Sequence, residues 1–386
     1  MQDFDLYLPT HIVFGKDKVN ELPKLMAPFG KKVLLTYGGG SIKKIGLYDK
    51  IKDLLKDAEI FELSGIEPNP KIGSIRQGVK LCKEHNIDVI LAVGGGSVLD
   101  ASKNIAAGAF YDGDPWDLVK DNSKVGKSLP IVTILTLSAT GSEYDASGVI
   151  SNPETQEKLP IFGDFAPRAS ILDPVYTYTV PKNQTAAGAC DIMSHTFEQY
   201  LVKNGNMLTD GFCESMLRTV IKYAPIAIKD PQNYEARAAL MQASSFGCCG
   251  LLNIGRDFSP WPVHGIEHEV SAYTDITHGV GLAIITPRWM RYSLNEITAP
   301  RFAQYGVNVW GLDKNLPQLE LANKAIEKTE EFFKSLGLPS SFSEIGIDDK
   351  HFEDMAKHLC DNWGDLGLAL TPLTRDDIVA ILRNCL

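Results

Sequence analysis

The stretch Asp88-Val-Ile-Leu-Ala-Val-Gly94-Gly-Gly-Ser97-Val-Leu-Asp100-Ala-Ser-Lys103 decides the fold. Val89 to Val93 is the uninterrupted apolar run of a strand buried on both faces. Three glycines and a serine make a tight turn, and Val98 to Ala107 has the composition of a helix. The same grammar occurs on either side. Lys32-Val-Leu-Leu-Thr-Tyr37 ends in Gly38-Gly-Gly-Ser41, and Pro130-Ile-Val-Thr-Ile-Leu135 leads into Ser138-Ala-Thr-Gly-Ser-Glu143, with helix-like stretches such as Ser74 to His85 between. Buried runs alternating with helices predict an α/β domain with a parallel sheet and helices on both faces. In such sheets ligands bind beyond the carboxyl ends of the strands, where these glycine clusters fall.

Beyond Pro181 the pattern changes. Thr185 to Val202, Thr209 to Ile228, Asn233 to Leu252 and Pro317 to Leu336 have helical spacing, and period-two β-branched runs are scarce. The reading is therefore an α/β domain over 1–180 and an all-α domain over 181–386. The two Gly-Gly-Gly-Ser tetrads have unlike flanks, so there is no internal repeat.

The chain has 386 residues and a formal net charge of −10. That acidity argues against a nucleic-acid partner, whose phosphates need surplus basic side chains. A hydrophobic share of 44% and a charged share of 22% are those of a globular protein. No uncharged apolar run reaches the roughly 20 residues that span a bilayer, so no membrane is expected. The start, Met-Gln-Asp-Phe-Asp, lacks a basic region followed by an apolar stretch. The seven cysteines (Cys82, Cys190, Cys213, Cys248, Cys249, Cys360 and Cys385) are odd in number and contain no Cys-x-x-Cys. Reduced thiols and a cytoplasmic location are expected. Cys248-Cys249 reads as a packing pair inside a helix.

Glycines between a strand and a helix let backbone approach a phosphate, and the helix start attracts the anion. Neither loop is a P-loop, since no Gly-Lys-Ser/Thr follows, and neither is Gly-x-Gly-x-x-Gly. After Tyr37 no acid appears until Asp49, whereas Ser41, Lys43 and Lys44 suit a ribose 2′-phosphate. Asp100 and Lys103 share a helix face, either touching a cofactor or pairing with each other.

Asp191 and His195 are four apart in a helical stretch. His264 and His268 are also four apart, and His278 follows. A carboxylate and three imidazoles without thiolate suit Fe²⁺, Zn²⁺ or another divalent ion with a position open to a substrate oxygen. Glu267 and Glu269 flank His268 out of register for His-Glu-x-x-His, which disfavours a zincin protease.

Gly94-Gly-Gly-Ser-Val-Leu-Asp-Ala-Ser-Lys103, Ala139-Thr-Gly-Ser-Glu143, Asp191-x-x-x-His195, His264 and His278 resemble the iron-containing (group III) alcohol dehydrogenase family. Gly113-Asp-Pro-Trp-Asp117, Leu172-Asp-Pro-Val-Tyr-Thr-Tyr178 and Leu336-Gly-Leu-Pro339 extend the likeness along the whole chain. Within the family it is most similar to the NADPH-dependent butanol dehydrogenase and aldehyde reductase branch. The resemblance implies a dehydroquinate synthase-like architecture with the active site in the cleft between the domains. It implies one metal ion, Fe²⁺ favoured over Zn²⁺, on Asp191, His195, His264 and His278. His268 lies near it as a catalytic group. It implies NADP(H) bound by Gly38, Gly39, Ser41, Lys44, Gly94, Gly95, Gly96, Ser97, Asp100, Thr136, Leu137, Ser142 and Lys158, and a homodimer. The expected reaction is reversible reduction of butanal-like aldehydes to primary alcohols. Thr136-Leu-Ser-Ala-Thr-Gly-Ser-Glu143, Tyr144 and Asp145 depart from the commoner family pattern. Three rivals stand beside this reading: an NADH-preferring member of the family, a dehydroquinate-synthase-like lyase, and a non-catalytic nucleotide-binding regulator. The lyase would need basic residues for a phosphorylated acid, and Trp261 to His278 contains no lysine or arginine.

Overall fold

A computed structural model describes all residues, Met1–Leu386. Eight strands occur: β1 (His11–Phe14), β2 (Lys32–Tyr37), β3 (Glu59–Leu63), β4 (Val89–Gly94), β5 (Ile131–Leu135), β6 (Ser147–Asn152), β7 (Glu157–Phe162) and β8 (Ala169–Leu172). Six form a fully parallel sheet in the order β1-β8-β5-β4-β2-β3, and β6 pairs antiparallel with β7. Side chains alternate between the sheet's two faces, and both faces are buried. Leu34, Ile90, Ala92 and Ile131 enter one core, while Val33, Leu35, Leu91, Val93 and Ile134 enter the other. Continuous apolar strands follow from that double covering.

The helices of this part are α1 (Leu22–Met26), α2 (Ser41–Lys44), α3 (Leu47–Leu54), α4 (Ile72–His85), α5 (Gly96–Gly108) and α6 (Pro115–Lys120). α1, α2 and α3 cover one face through Leu22, Met26, Ile42, Leu47 and Ile51. α4 and α5 cover the other through Ile72, Ile75, Val79, Leu99 and Ile105.

The remaining helices are α7 (Lys182–Tyr200), α8 (Met207–Lys229), α9 (Tyr234–Gly247), α10 (Pro262–Thr274), α11 (His278–Ser293), α12 (Ala299–Asn308), α13 (Gln318–Ser335), α14 (Phe352–Asn362) and α15 (Arg375–Arg383). The chain forms two compact units. One holds Tyr7–Val180 with Pro231–Cys249, and the other holds Met1–Leu6, Pro181–Asp230 and Gly250–Leu386. The chain passes between the units after Leu6, Val180, Asp230 and Cys249, so neither unit is contiguous in sequence. α9 belongs with the sheet because Met241 is fully buried in the core under α4 and α5. Everything after Pro181 is helix and loop. α7 is enclosed on all sides from Thr185 to Tyr200. No helix is long and apolar enough to cross a membrane.

Candidate metal centre

The carboxyl ends of three neighbouring strands carry the glycine and threonine loops. Register pairs Tyr37 with Val93 and Gly94 with Leu135, so Gly38 follows level with Gly94, and Gly95 with Thr136. Thr136 donates its N–H to the Gly94 carbonyl at 2.9 Å. The glycines answer to packing. A Cβ on Gly94 would lie 2.6 Å from Val98 Cγ2, and one on Gly96 would lie 2.5 Å from Thr140 Oγ1. Leu137 stands beside Gly95. α5 therefore starts directly at the loop, with Gly95 as its extended N-cap and Ser97 in the first turn. Gly141 has φ +75°, and its backbone lies against the Ser244 carbonyl and Cys248. α9 ends at Gly247, so Cys248 and Cys249 follow the helix rather than lying inside it.

Gly38, Gly39, Ser41 and Lys44 line the end of β2, with Ser41 opening α2. Lys43, read with Ser41 and Lys44 as suiting a 2′-phosphate, lies over two phenol rings. Its Nζ lies 5.3 Å from the Tyr37 centroid and 4.7 Å from that of Tyr48. Both tyrosines donate to Glu62, at 2.9 and 2.7 Å, and Lys52 pairs with it at 2.9 Å. Burial opposes the Glu62 carboxylate, but Lys52, Tyr48 and Tyr37 outweigh it and hold its pKa down to about 2. Glu62 reaches β2 only through the pairing of Leu35 with Glu62, so no local spacing announces it.

Asp100 and Ser142 lie in an internal network. Asp100 accepts from Ser142 Oγ at 2.6 Å and from the Val149 N–H at 3.0 Å. Fully buried Lys103 donates to Ser142 Oγ at 2.9 Å, Asp145 Oδ1 at 2.6 Å and the Ser147 carbonyl at 2.6 Å. Asp145, unusual in the resemblance, is thus the counter-ion that a buried lysine needs. Lys158 sits on β7 opposite Ser151.

In the helical unit the histidines converge. Asp191 and His195 share one face of α7. Pro262 occupies the first position of α10 behind Trp261, whose φ of 55° turns the chain into the helix. His264 falls in the first turn and His268 one turn on. α10 ends at Thr274 and α11 begins at His278, so a short reversal sets His278 opposite them.

Around Asp191 Oδ1 stand three imidazole Nε2 atoms: His195 at 3.5 Å, His278 at 3.6 Å and His264 at 3.9 Å. The four donor atoms all lie within 4.8 Å of one another. Ligands at about 2.0–2.2 Å from a tetrahedral ion stand roughly 3.4 Å apart, so the spacing fits a divalent ion. Asp191 Oδ1 and His264 Nε2 are buried without a hydrogen-bond partner, a cost of about 1–3 kcal/mol each that a cation would remove. Burial works against the Asp191 carboxylate, yet His195, His278 and His264 hold its pKa below the ordinary range. Burial likewise opposes the His264 cation, and Asp191 and Glu198 prevail, raising it to about 9.

The outer nitrogens are held as well. His264 Nδ1 lies 3.2 Å from Glu198 Oε1, which also accepts the His264 backbone N–H at 2.9 Å. His278 Nδ1 is hydrogen-bonded to Glu267 Oε2, and Ser271 donates to the other oxygen. Glu198 does not figure in the sequence analysis and Glu267 only as out of register for a zincin, although each lies three residues after a histidine and so on its helix face. His268 packs with its ring 5.0 Å from Trp363 and 5.6 Å from His278. Gly265 gives room to Trp363, Gly281 to Glu267, and Gly279 to the Ala187 carbonyl.

Comparison with known proteins shows which family the chain resembles. Residues 9–174 match the iron-containing alcohol dehydrogenase family, and residues 185–386 match the C-terminal family of Fe-containing alcohol dehydrogenases. The chain is 52% identical to NADH-dependent butanol dehydrogenase A of Clostridium acetobutylicum over all of both chains. It is 39% identical to the NADPH-dependent aldehyde reductase YqhD of Escherichia coli over 93% of each. The crystal structure of NADH-dependent butanol dehydrogenase A from Thermotoga maritima superposes with a TM-score of 0.95 at 36% identity, over 100% of this chain and 99% of that one.

Proposed function

The chain belongs to the iron-containing alcohol dehydrogenase family and so is an alcohol/aldehyde oxidoreductase that uses a nicotinamide cofactor and a metal, and we propose that it reversibly reduces short aliphatic aldehydes such as butanal to primary alcohols with NADPH. The observation that carries this reading is the inward-facing set of Asp191 Oδ1 and the Nε2 atoms of His195, His264 and His278. These four residues would hold one divalent ion, Fe²⁺ first and Zn²⁺ second. Bound there, the ion supplies Lewis-acid polarisation of the substrate oxygen and the dinucleotide supplies the hydride.

The chain's own residues do the rest. Gly94 to Ser97 at the start of α5 receive the cofactor's phosphates. His268 holds and exchanges the proton that accompanies hydride transfer at the substrate oxygen. The absence of lysine and arginine from Trp261 to His278 favours a neutral carbonyl compound over a phosphorylated acid.

NADPH is supported by the lack of an acid from Gly38 to Lys44 and by Ser41 and Lys44 beside the strand end. NADH is the second reading, supported by the butanol dehydrogenase relatives. The test is oxidation of NADPH and of NADH with butanal, on protein stripped of metal and reloaded anaerobically with Fe²⁺ or Zn²⁺. Metal-dependent turnover, faster with NADPH, is expected. Equal turnover without metal counts against the site, and faster NADH oxidation moves the cofactor to the second reading.

A further inference from the structure

We propose that Glu198 and Glu267 are positioning residues that set the affinity of this centre for its metal, an inference that rests on the metal reading above. A neutral imidazole binds a cation through its unprotonated nitrogen and carries its proton on the other, and an acceptor at that second nitrogen fixes the tautomer and the ring plane. Both of the histidines that come from outside α7 have such an acceptor. Glu198 Oε1 stands 3.2 Å from His264 Nδ1, and Glu267 Oε2 is bonded to His278 Nδ1. Their Nε2 atoms are thereby left facing Asp191 Oδ1 at 3.9 and 3.6 Å.

Neither carboxylate is held by its histidine alone. Glu198 Oε1 also accepts the His264 N–H at 2.9 Å, one of the donors that the first turn of a helix leaves unmet. One side chain of α7 thus fixes both the backbone and the ring of the ligand on α10. Glu267 is anchored by Ser271 on its other oxygen, and Gly281 leaves the space it occupies. Both glutamates are almost wholly buried, and together with Asp191 they surround the three imidazoles with three carboxylates. That donor field favours a dication and strengthens each ring as a ligand.

The test uses Glu198→Gln and Glu267→Gln, which keep side-chain length and an acceptor oxygen but remove the charge. The dissociation constant for Zn²⁺ or Co²⁺ is measured by competition with a chelating dye. Thermal unfolding of the metal-free proteins is measured alongside. Each variant is expected to bind metal about 10–100-fold more weakly while its metal-free unfolding stays at the wild-type temperature. Ser271→Ala, a smaller change that removes one donor to Glu267, should give a loss in the same direction. Glu330→Gln, whose partners Arg288 and Arg291 lie outside the cluster, should leave the constant unchanged. Wild-type affinity in both glutamine variants would overturn the proposal, and so would lowered metal-free stability with an unchanged constant. A wild-type chain that binds no metal, or that binds it equally well after His264→Ala, would instead overturn the metal reading itself.

Discussion

Gly279 is seated directly against the carbonyl oxygen of Ala187, so that α11 meets α7 with no room for a side chain between them. His278, the neighbour of Gly279, is brought to Asp191 by that approach. Gly279→Ala must push the helices apart, and overpacking of this kind costs about 1–3 kcal/mol. The expected result is a lower unfolding temperature and metal occupancy reduced at least tenfold, read by elemental analysis after dialysis. Full occupancy in the variant would show that His278 reaches the cluster independently of this contact.

Removal of metal should weaken the fold as well as stop turnover. A ligand that binds only the native state stabilises it by about 2.7 kcal/mol at one hundred times its dissociation constant. Chelated protein is therefore expected to unfold at a lower temperature and to recover on addition of Fe²⁺ or Zn²⁺. Scanning calorimetry of the stripped and reloaded protein checks this, and identical curves would count against a metal on Asp191 and the three histidines.

The choice of dinucleotide should be reversible at one position. A Cβ at Gly39 would meet nothing within 4 Å, so Gly39→Asp places a carboxylate at the end of β2 without a clash. An acid there suits a free 2′-hydroxyl and repels a 2′-phosphate. kcat/KM with NADPH should fall more than tenfold while that with NADH holds or rises. A uniform loss with both would show that the residue disturbs the loop rather than selecting the cofactor.

His268→Ala separates proton transfer from metal binding. Turnover is expected to fall by about 10²–10⁴ with metal content unchanged. Loss of metal in the variant would make His268 a supporter of the cluster, and unchanged turnover would exclude it from the proton route.

Glu143 introduces a pH dependence of its own. It is fully buried, accepts from Ser245 Oγ at 2.5 Å, and burial pushes its carboxyl up from 4.5 to about 7 against the opposing hydrogen bond. An acid whose folded pKa is the higher binds its proton more tightly in the folded state. Stability is then lost as pH rises from about 4.5 through 7. Glu143→Gln cannot ionise and should escape that loss, gaining on the order of 3 kcal/mol relative to wild type between pH 5 and pH 8. Denaturant titrations at the two pH values measure the difference, and parallel pH dependence in the two proteins would dismiss the effect.

Local signals were the legible ones. The strand, glycine turn and helix around Gly94 are contiguous in sequence, and Asp191 with His195 shares a face at a spacing that any helix imposes. Glu198 and Glu267 have comparable helical spacing, yet a glutamate after a histidine reads equally well as a solvated helix face, and only burial separates the two. The capture of Lys43 by Tyr37 and Tyr48 depends on Glu62, which β3 delivers through strand pairing that no local pattern encodes. Asp145 answers the charge of Lys103, whose enclosure no local pattern encodes. The membership of α9 was hidden for the same reason: helical periodicity identifies a helix but not the core it joins.

That last feature bears on how the molecule is born. Met241 completes the core under α4 and α5, and Ser245 supplies the partner of Glu143, yet both are made only after α7 and α8 have been synthesised. At about 5–20 residues per second, the nascent sheet waits on the order of ten seconds with its apolar flank uncovered. During that interval the growing chain is a natural client for chaperones, and a fragment cut at Val180 would leave the ribosome with that flank permanently bare.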